Sequence, residues 1–199
     1  MRKNVLVIVA HPDDETIWMG GTLLINKNKW NTTIVSLCRK HDKDRAPKFK
    51  KVCKILKARC LISNLEDEKL QDINDKEIIK RIKKLAGRRW DLLFTHGKNG
   101  EYGHKRHKEI HRAVNKMLEK GDLSSEKVFF FSYLKKNKSC KPNKKSDIKI
   151  KLNKHYFNKK VQIMEKIYGY KRGSIDVNYC KNLETFQAKR KNRLRLKER

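Results

Sequence analysis

Nowhere does the 199-residue chain approach the roughly 20 consecutive apolar residues of a membrane-spanning helix, and the longest early run, Val5 to Ala10, has the length of a strand. A non-membrane protein is therefore expected. The same run falls short of the ~7–15 apolar residues of a signal peptide, although Met1-Arg2-Lys3 precede it, so no cleaved leader is expected. The five cysteines, at 38, 53, 60, 140 and 180, form no C-x-x-C pair and are odd in number. That excludes an evident disulfide framework or cysteine zinc site and fits a reducing, cytoplasmic setting. A glycine-rich phosphate loop is missing as well: the first apolar run leads into His11-Pro12-Asp13-Asp14-Glu15, where a dinucleotide-binding fold carries G-x-G-x-x-G. Gly20-Gly21 come too late to replace it and are expected to let the first helix pack closely on a sheet. No internal repeat, helix-turn-helix, zinc finger or aromatic RNP signature is present.

Acidic residues are also scarce, 22 against 52 Lys and Arg, for a net charge of +30. The excess grows along the chain, from 23 basic and 12 acidic residues in 1–100 to 29 and 10 in 101–199. Lys135 to Lys160 contains 11 lysines against Asp147, and the last eleven residues hold seven basic side chains against Glu198. Such a field attracts polyanions, whether nucleic acid, anionic lipid or phosphorylated glycan. Solvated charge in a sequence of biased composition accounts for it more simply.

What is present is a regular alternation. Asn4 to Ala10 is a β-branched apolar run that reads as a strand buried on both faces, and similar runs recur at Thr32 to Cys38, Cys60 to Ser63, Asp91 to Thr95 and Lys127 to Tyr133. Segments with helical spacing lie between them, near 17–29, 45–58, 74–86 and 104–119. This predicts an α/β protein with a Rossmann-like three-layer fold: a mostly parallel central sheet, helices on both faces, and ligands at the carboxyl ends of the strands. At 37% hydrophobic content, residues 1–199 are expected to form one domain. The basic segment about 135–155 reads as a loop, 153–170 as a helix, and about 187–199 as a polar basic tail.

Two clusters fall at strand ends. The first is His11, Asp13, Asp14 and Glu15, whose crowded acids call for a cation or a helix N-terminus. An ordinary helix start, with Asp13 as cap, is the competing reading. The second is Asn99-Gly-Glu-Tyr-Gly-His-Lys-Arg-His107, in which His104, His107 and His111 share one helical face. One histidine and one carboxylate from the first cluster and a histidine from the second would make the three-ligand, open set of a hydrolytic zinc site, with a second carboxylate as general base. The same mixed donors suit Fe2+ or Co2+.

Ala10-His11-Pro12-Asp13-Asp14-Glu15 together with Tyr102-Gly103-His104-x-x-His107 resembles the PIG-L/LmbE-like zinc-dependent N-deacetylases, over roughly residues 4–119. The resemblance implies that His11, Asp14 and His107 bind the metal and that Asp13 is the general base toward a metal-activated water. It implies that His104 stabilises or protonates the tetrahedral intermediate, that Tyr102 polarises the amide carbonyl, that Glu15 supports the metal ligands, and that Arg45 and Asp67 contact substrate. The implied reaction removes the N-acetyl group from a GlcNAc-containing sugar or conjugate and releases acetate. A nucleic-acid or other polyanion-binding protein on a deacetylase-like scaffold is the alternative, and an anionic glycan substrate would unite the two. The chain departs from the family at Arg106, where an Asp often precedes the metal histidine; this removes a partner for His104, whose imidazole is then expected to titrate lower. His111, on the same face as His104, stays open as a ligand or a supporting residue.

Overall fold

The computed structural model describes residues 1–137 and 139–189. Its core is a seven-stranded sheet in the order β3-β2-β1-β4-β5-β9-β8. Strands β1 (Lys3–Val9), β2 (Trp30–Cys38), β3 (Arg59–Leu65), β4 (Arg89–Thr95) and β5 (Ser124–Phe131) are parallel. Strands β8 (Ile148–Lys151) and β9 (Leu183–Ala188) add an antiparallel edge. The expected Rossmann-like α/β architecture is what the chain adopts. The strand order reverses between β1 and β4, which opens a crevice at their carboxyl ends.

Period-two alternation in β1 builds both interfaces of the sheet. Val5, Val7 and Val9 join one buried cluster with Ile17, Trp18 and Leu23 of α1 (Asp14–Asn26) and Phe49 and Val52 of α2 (Arg45–Ile55). Leu6, Ile8 and Ala10 face the other way, onto Ile78 and Ile82 of α3 (Asp75–Leu85) and Ile110, Val114 and Met117 of α4 (Lys105–Glu119). No helix among the described residues is long and apolar enough to cross a membrane.

The second half departs from expectation. The stretch 135–155, read as a loop, instead contains most of the hairpin of β6 (Tyr133–Lys136) and β7 (Ser139–Pro142), and then β8. In β7 and β8, Lys141, Lys149 and Lys151 alternate with Cys140, Ile148 and Ile150, so these charged positions point outward from pleated strands. Lysines on β8 also suit an edge strand, where they discourage pairing with another chain. The run expected over Lys127 to Tyr133 is divided at Ser132, whose N–H donates to the carbonyl of Thr185 (2.9 Å). The helix expected over 153–170 is α5 (Lys154–Gln162) followed by a π-helical turn, Ile163–Tyr168, that ends at Gly169 with φ 81°. Of the expected polar tail, 187 and 188 belong to β9, and the part from 190 onward lies outside the described residues.

Helix α1 breaks at Met19 (φ −147°, ψ 19°). Glu184 of β9 reaches into the break: its Oε2 accepts from the Thr22 N–H (2.7 Å) and hydroxyl (2.6 Å), its Oε1 from the Gly21 N–H (2.9 Å) and Lys160 Nζ (2.7 Å). Gly21 is needed for a different contact from the one expected, since a Cβ there would lie 2.2 Å from Leu152 Cδ1, just beyond β8, rather than against the sheet. Glu184→Ala leaves Lys160 as an uncompensated buried charge and is expected to cost about 3–5 kcal/mol of unfolding free energy. Urea denaturation at neutral pH measures this, and a loss below about 1 kcal/mol would show the pair to be replaceable.

Candidate active site

The crevice is built by the chain leaving β1, β2, β3 and β4. Directly after β1, Asp13 takes φ 115° and ψ −32°, a region where a side-chain-bearing residue is strained by about 1–3 kcal/mol. Its carbonyl accepts from the N–H groups of Thr16 and Ile17 (2.8 Å each) and its own N–H donates to Glu15 Oε2 (3.0 Å). The Asp13 side chain makes no capping hydrogen bond to α1. It turns into the crevice instead, which is where the structure differs from an ordinary helix start.

His11 Nδ1, Asp14 Oδ2 and His107 Nε2 form a triangle with sides of 3.2, 3.3 and 3.4 Å. Tetrahedral ligands at about 2.0–2.1 Å from a zinc ion are separated by about 3.3–3.4 Å, so the three atoms already stand at that spacing. Each imidazole is backed by a carboxylate: His11 Nε2 meets Asp67 Oδ1 at 3.0 Å and His107 Nδ1 meets Glu101 Oε2 at 2.6 Å. With those bonds the outer nitrogens are N–H donors, and the inner nitrogens are the positions a cation would take in place of a proton. Trp18 Nε1 donates to Asp14 Oδ1 (2.9 Å), so its other oxygen faces the triangle. Burial opposes charge on both histidines, yet Asp14 and Asp67 hold His11 up at about 9, and Asp14 and Glu101 hold His107 up at about 10. Burial acts to raise Asp14, but His107, His11 and His96 keep it well below the usual carboxylate range. The local field thus favours positive charge at the centre of the triangle.

Other residues place less well as ligands. His96, which the sequence reading did not single out, is wholly buried and stacked on His107 at 3.8 Å between ring centroids. Its Nε2 accepts from the Ala10 N–H (2.9 Å) and its Nδ1 donates to Glu101 (3.0 Å), so neither nitrogen is spare; burial and His107 keep the ring neutral. His111 is likewise committed, with Nδ1 donating to the His96 carbonyl (2.9 Å) and Nε2 accepting from Asn115 (3.1 Å). Cys38 lies within reach of His11 and Asp67, but burial drives its thiol pKa up and disfavours the thiolate.

Asp13 lies beside the triangle. Arg45 Nη1 donates to its Oδ2 at 2.5 Å and the Tyr170 hydroxyl donates to the same oxygen, while Oδ1 has no hydrogen bond among the described residues. Burial and Asp14 push Asp13 up to about 6 against the pull of Arg45 and Tyr170. Glu15, pushed up to about 7 chiefly by burial, accepts from the Tyr168 hydroxyl (2.8 Å) and the Asp13 N–H, and so supports the strained turn. Arg45 therefore contacts Asp13 and Asp67 contacts His11, with Arg39 donating to Asp67 Oδ2 at 2.8 Å. Both residues also line the crevice.

His104 packs edge-on against His11, 4.8 Å between centroids, and its buried Nδ1 has no partner among the described residues. Burial, then His107 and His11, lower it to about 4. The downward direction is as expected but the cause is not Arg106, which turns away and is clasped by Glu109 (2.5 Å), Glu66 and the carbonyls of Glu66 (2.6 Å) and Gln71 (2.8 Å). Tyr102 stacks on Tyr179, 5.0 Å between centroids, and burial keeps its hydroxyl protonated. Tyr170, Asp176 and Tyr179 also line this crevice of about 270 Å3; they come from the chain's second half, where no motif marked them.

A family model described as "PIG-L: GlcNAc-PI de-N-acetylase" matches residues 6–118. No curated protein sequence matches the chain. Among solved structures, the conserved protein TT1542 from Thermus thermophilus is similar at 18% identity, covering 93% of this chain and 94% of its own, with a TM-score of 0.65. The 4-carboxy-2-hydroxymuconate hydratase GalB of Pseudomonas putida KT2440 matches at 12% identity, with coverages of 94% and 95% and a TM-score of 0.65. An N,N'-diacetylchitobiose deacetylase from Pyrococcus horikoshii, complexed with its inhibitor MPG, matches at 14% identity, with coverages of 94% and 84% and a TM-score of 0.62. At these identities the structures show the shared fold, which a hydratase and a deacetylase both use.

If the Glu101 bond orients His107, Glu101→Gln lowers zinc affinity by about 10–100-fold, whereas His111→Ala leaves it unchanged. Calorimetric zinc titration of metal-stripped protein checks both; equal affinities for Glu101→Gln and parent would remove Glu101 from the metal centre.

Proposed function

The chain belongs to the PIG-L family, and from that premise we propose that it is a zinc-dependent amide hydrolase that removes the N-acetyl group from a GlcNAc-containing sugar or conjugate. The observation that carries this reading is the His11–Asp14–His107 triangle, with a carboxylate behind each imidazole and Asp13 at its side. In this reading His11, Asp14 and His107 hold the ion. Their nitrogen and oxygen donors fit Zn2+ best, and Fe2+ or Co2+ next. A bound divalent ion supplies Lewis acidity to the amide carbonyl and makes water acidic enough to lose a proton near neutral pH.

The chain's own groups supply the rest. Asp13 is the general base: Arg45 and Tyr170 fix one carboxylate oxygen, and the other takes the proton of the attacking water. As the water oxygen bonds to the acetyl carbon, charge builds on the carbonyl oxygen. The Tyr102 hydroxyl and the His104 ring donate toward it, the latter through the nitrogen now without a partner, once that nitrogen carries the proton. The C–N bond then breaks, the amine leaves with the proton that Asp13 took from the water, His104 stabilising the intermediate until it collapses, and acetate departs. Arg45 and Asp67 line the crevice walls and meet the sugar there while holding Asp13 and His11 in place.

Zinc added to metal-stripped protein is expected to restore acetate release from at least one GlcNAc conjugate. Asp13→Asn is expected to reduce kcat by about 10²–10⁴ without loss of zinc binding. Acetate release measured across neutral and anionic conjugates tests both statements, and full turnover by Asp13→Asn would overturn the assignment of the base.

A further inference from the structure

Arg106 departs from the second motif, and the proposed chemistry gives it no part. With Lys105 it occupies the first turn of α4, where no acid is present, and cations at a helix N-terminus run against the helix dipole. Arg106 is nonetheless wholly buried, directly before His107 in the chain. Something other than its own helix must hold its charge there.

What holds it is the connection from β3 to α3. Residues 66–74 form neither helix nor strand, so their backbone groups need partners from elsewhere. Arg106 Nε donates to the Glu66 carbonyl (2.6 Å), Nη1 to the Gln71 carbonyl (2.8 Å) and Nη2 to the Glu66 carboxylate. Nη1 also meets Glu109 Oε2 (2.5 Å), and Glu109 Oε1 accepts from the Ile73 N–H (3.4 Å). Lys105 Nζ donates to the carbonyl of Leu70 (2.7 Å), a residue held at φ 48°. A guanidinium presents its N–H groups as a planar fork that can take carbonyls and carboxylates together, whereas an ionised carboxylate at the same position, an acceptor only, could bond to none of these carbonyls.

The segment so held carries Asp67. One residue past Glu66, Asp67 Oδ1 meets His11 Nε2 at 3.0 Å and Oδ2 accepts from Arg39 Nη2 at 2.8 Å. Its backbone is thus anchored to α4 through Arg106, and its side chain to the end of β2 through Arg39. The geometry points to Arg106 as a positioning residue of the metal centre: it hydrogen-bonds to no member of the His11–Asp14–His107 triangle among the described residues, and acts by fixing the segment from which Asp67 orients His11. Two adjacent residues of α4 then govern two of the three ligands, His107 by being one and Arg106 by setting His11 through Glu66 and Asp67. The inference rests on the metal centre of the proposed function and is independent of which amide is cut.

Zinc affinity is measured by calorimetric titration of the metal-stripped full chain unsubstituted, with Arg106→Lys, with Asp67→Asn, and with both. Lysine keeps the charge but not the fork, so it cannot replace all four bonds. Arg106→Lys is expected to lower zinc affinity by about tenfold in the otherwise unsubstituted chain and by less than about twofold beside Asp67→Asn, where the path to His11 is already cut. Glu66→Ala, at a partly exposed side chain, removes one bond to Arg106 without opening the core and is expected to lower affinity about threefold, again only while Asp67 is present. If Arg106→Lys does not fold, as urea denaturation of the metal-free protein shows, Glu66→Ala taken through the same cycle decides. Arg112→Lys, on the same helix but paired with Asp75, is expected to leave zinc affinity unchanged. Equal losses with and without Asp67 would show that Arg106 only stabilises the fold and would overturn the inference, as would unchanged affinity in both Arg106→Lys and Glu66→Ala. An unsubstituted chain that binds no zinc would overturn the metal centre and the inference with it. Zinc binding that follows the cycle without acetate release from any conjugate would keep the inference and overturn the deacetylase reading alone.

Discussion

Glu101 is wholly buried, and its carboxylate is the point at which the two halves of the crevice are tied together. It accepts from His107 at the start of α4, from His96 at the end of β4, and from the Gly97 N–H at 2.7 Å. Against the upward push of burial, His96 and His107 hold it down at about 2, so it remains an anion throughout the neutral range. His96 passes the constraint on by accepting from Ala10, the residue before His11. Backbone geometry follows from the same requirement: Glu101 itself takes φ 57°, and a Cβ at Gly97 would stand 2.3 Å from the Phe131 carbonyl and 3.4 Å from Glu101. A buried anion with three donors is stable only while all three are in place, which makes the position of His107 relative to His11 a property of the core rather than of a loop.

The parallel half of the fold was legible because its strands are short continuous apolar runs and its helices have clear apolar faces. The basic second half is less legible because lysine density signals exposure without showing whether the backbone is ordered. In pleated strands every second residue faces outward anyway, so Ile148-Lys149-Ile150-Lys151 satisfies both patterns at once. The helix after Asn153 was visible in outline, but no spacing rule reveals where its hydrogen bonding widens to the π form.

At the site, the two clusters stand out because they are contiguous motifs at strand ends, whereas the choice of Asp14 and His107 beside His11 came from the family resemblance. Arg45 and Asp67 were located in the crevice, but their bonds to Asp13 and His11 depend on loop paths that sequence does not display. His96 stands alone directly after β4, with no motif around it to mark it. Tyr170 lies 157 residues from Asp13, and nothing in its neighbourhood announces the contact. The sign of the charge was likewise legible only in total: a chain of +30 encloses an acid-rich crevice, and the contrast between them exists only after folding.

The π-helical turn has one further implication. Such a turn is what an α-helix becomes when one extra residue is accommodated without breaking the helix. In an α-helix one extra residue rotates everything after it by about 100°, and the wider turn at Ile163–Tyr168 takes up that residue locally instead. Tyr168, at the end of the turn, and Tyr170, just beyond it, hold Glu15 and Asp13. The segment can therefore gain or lose a residue by passing between the π and α forms while the two tyrosines keep their side of the crevice, so their positions constrain it more tightly than its length does.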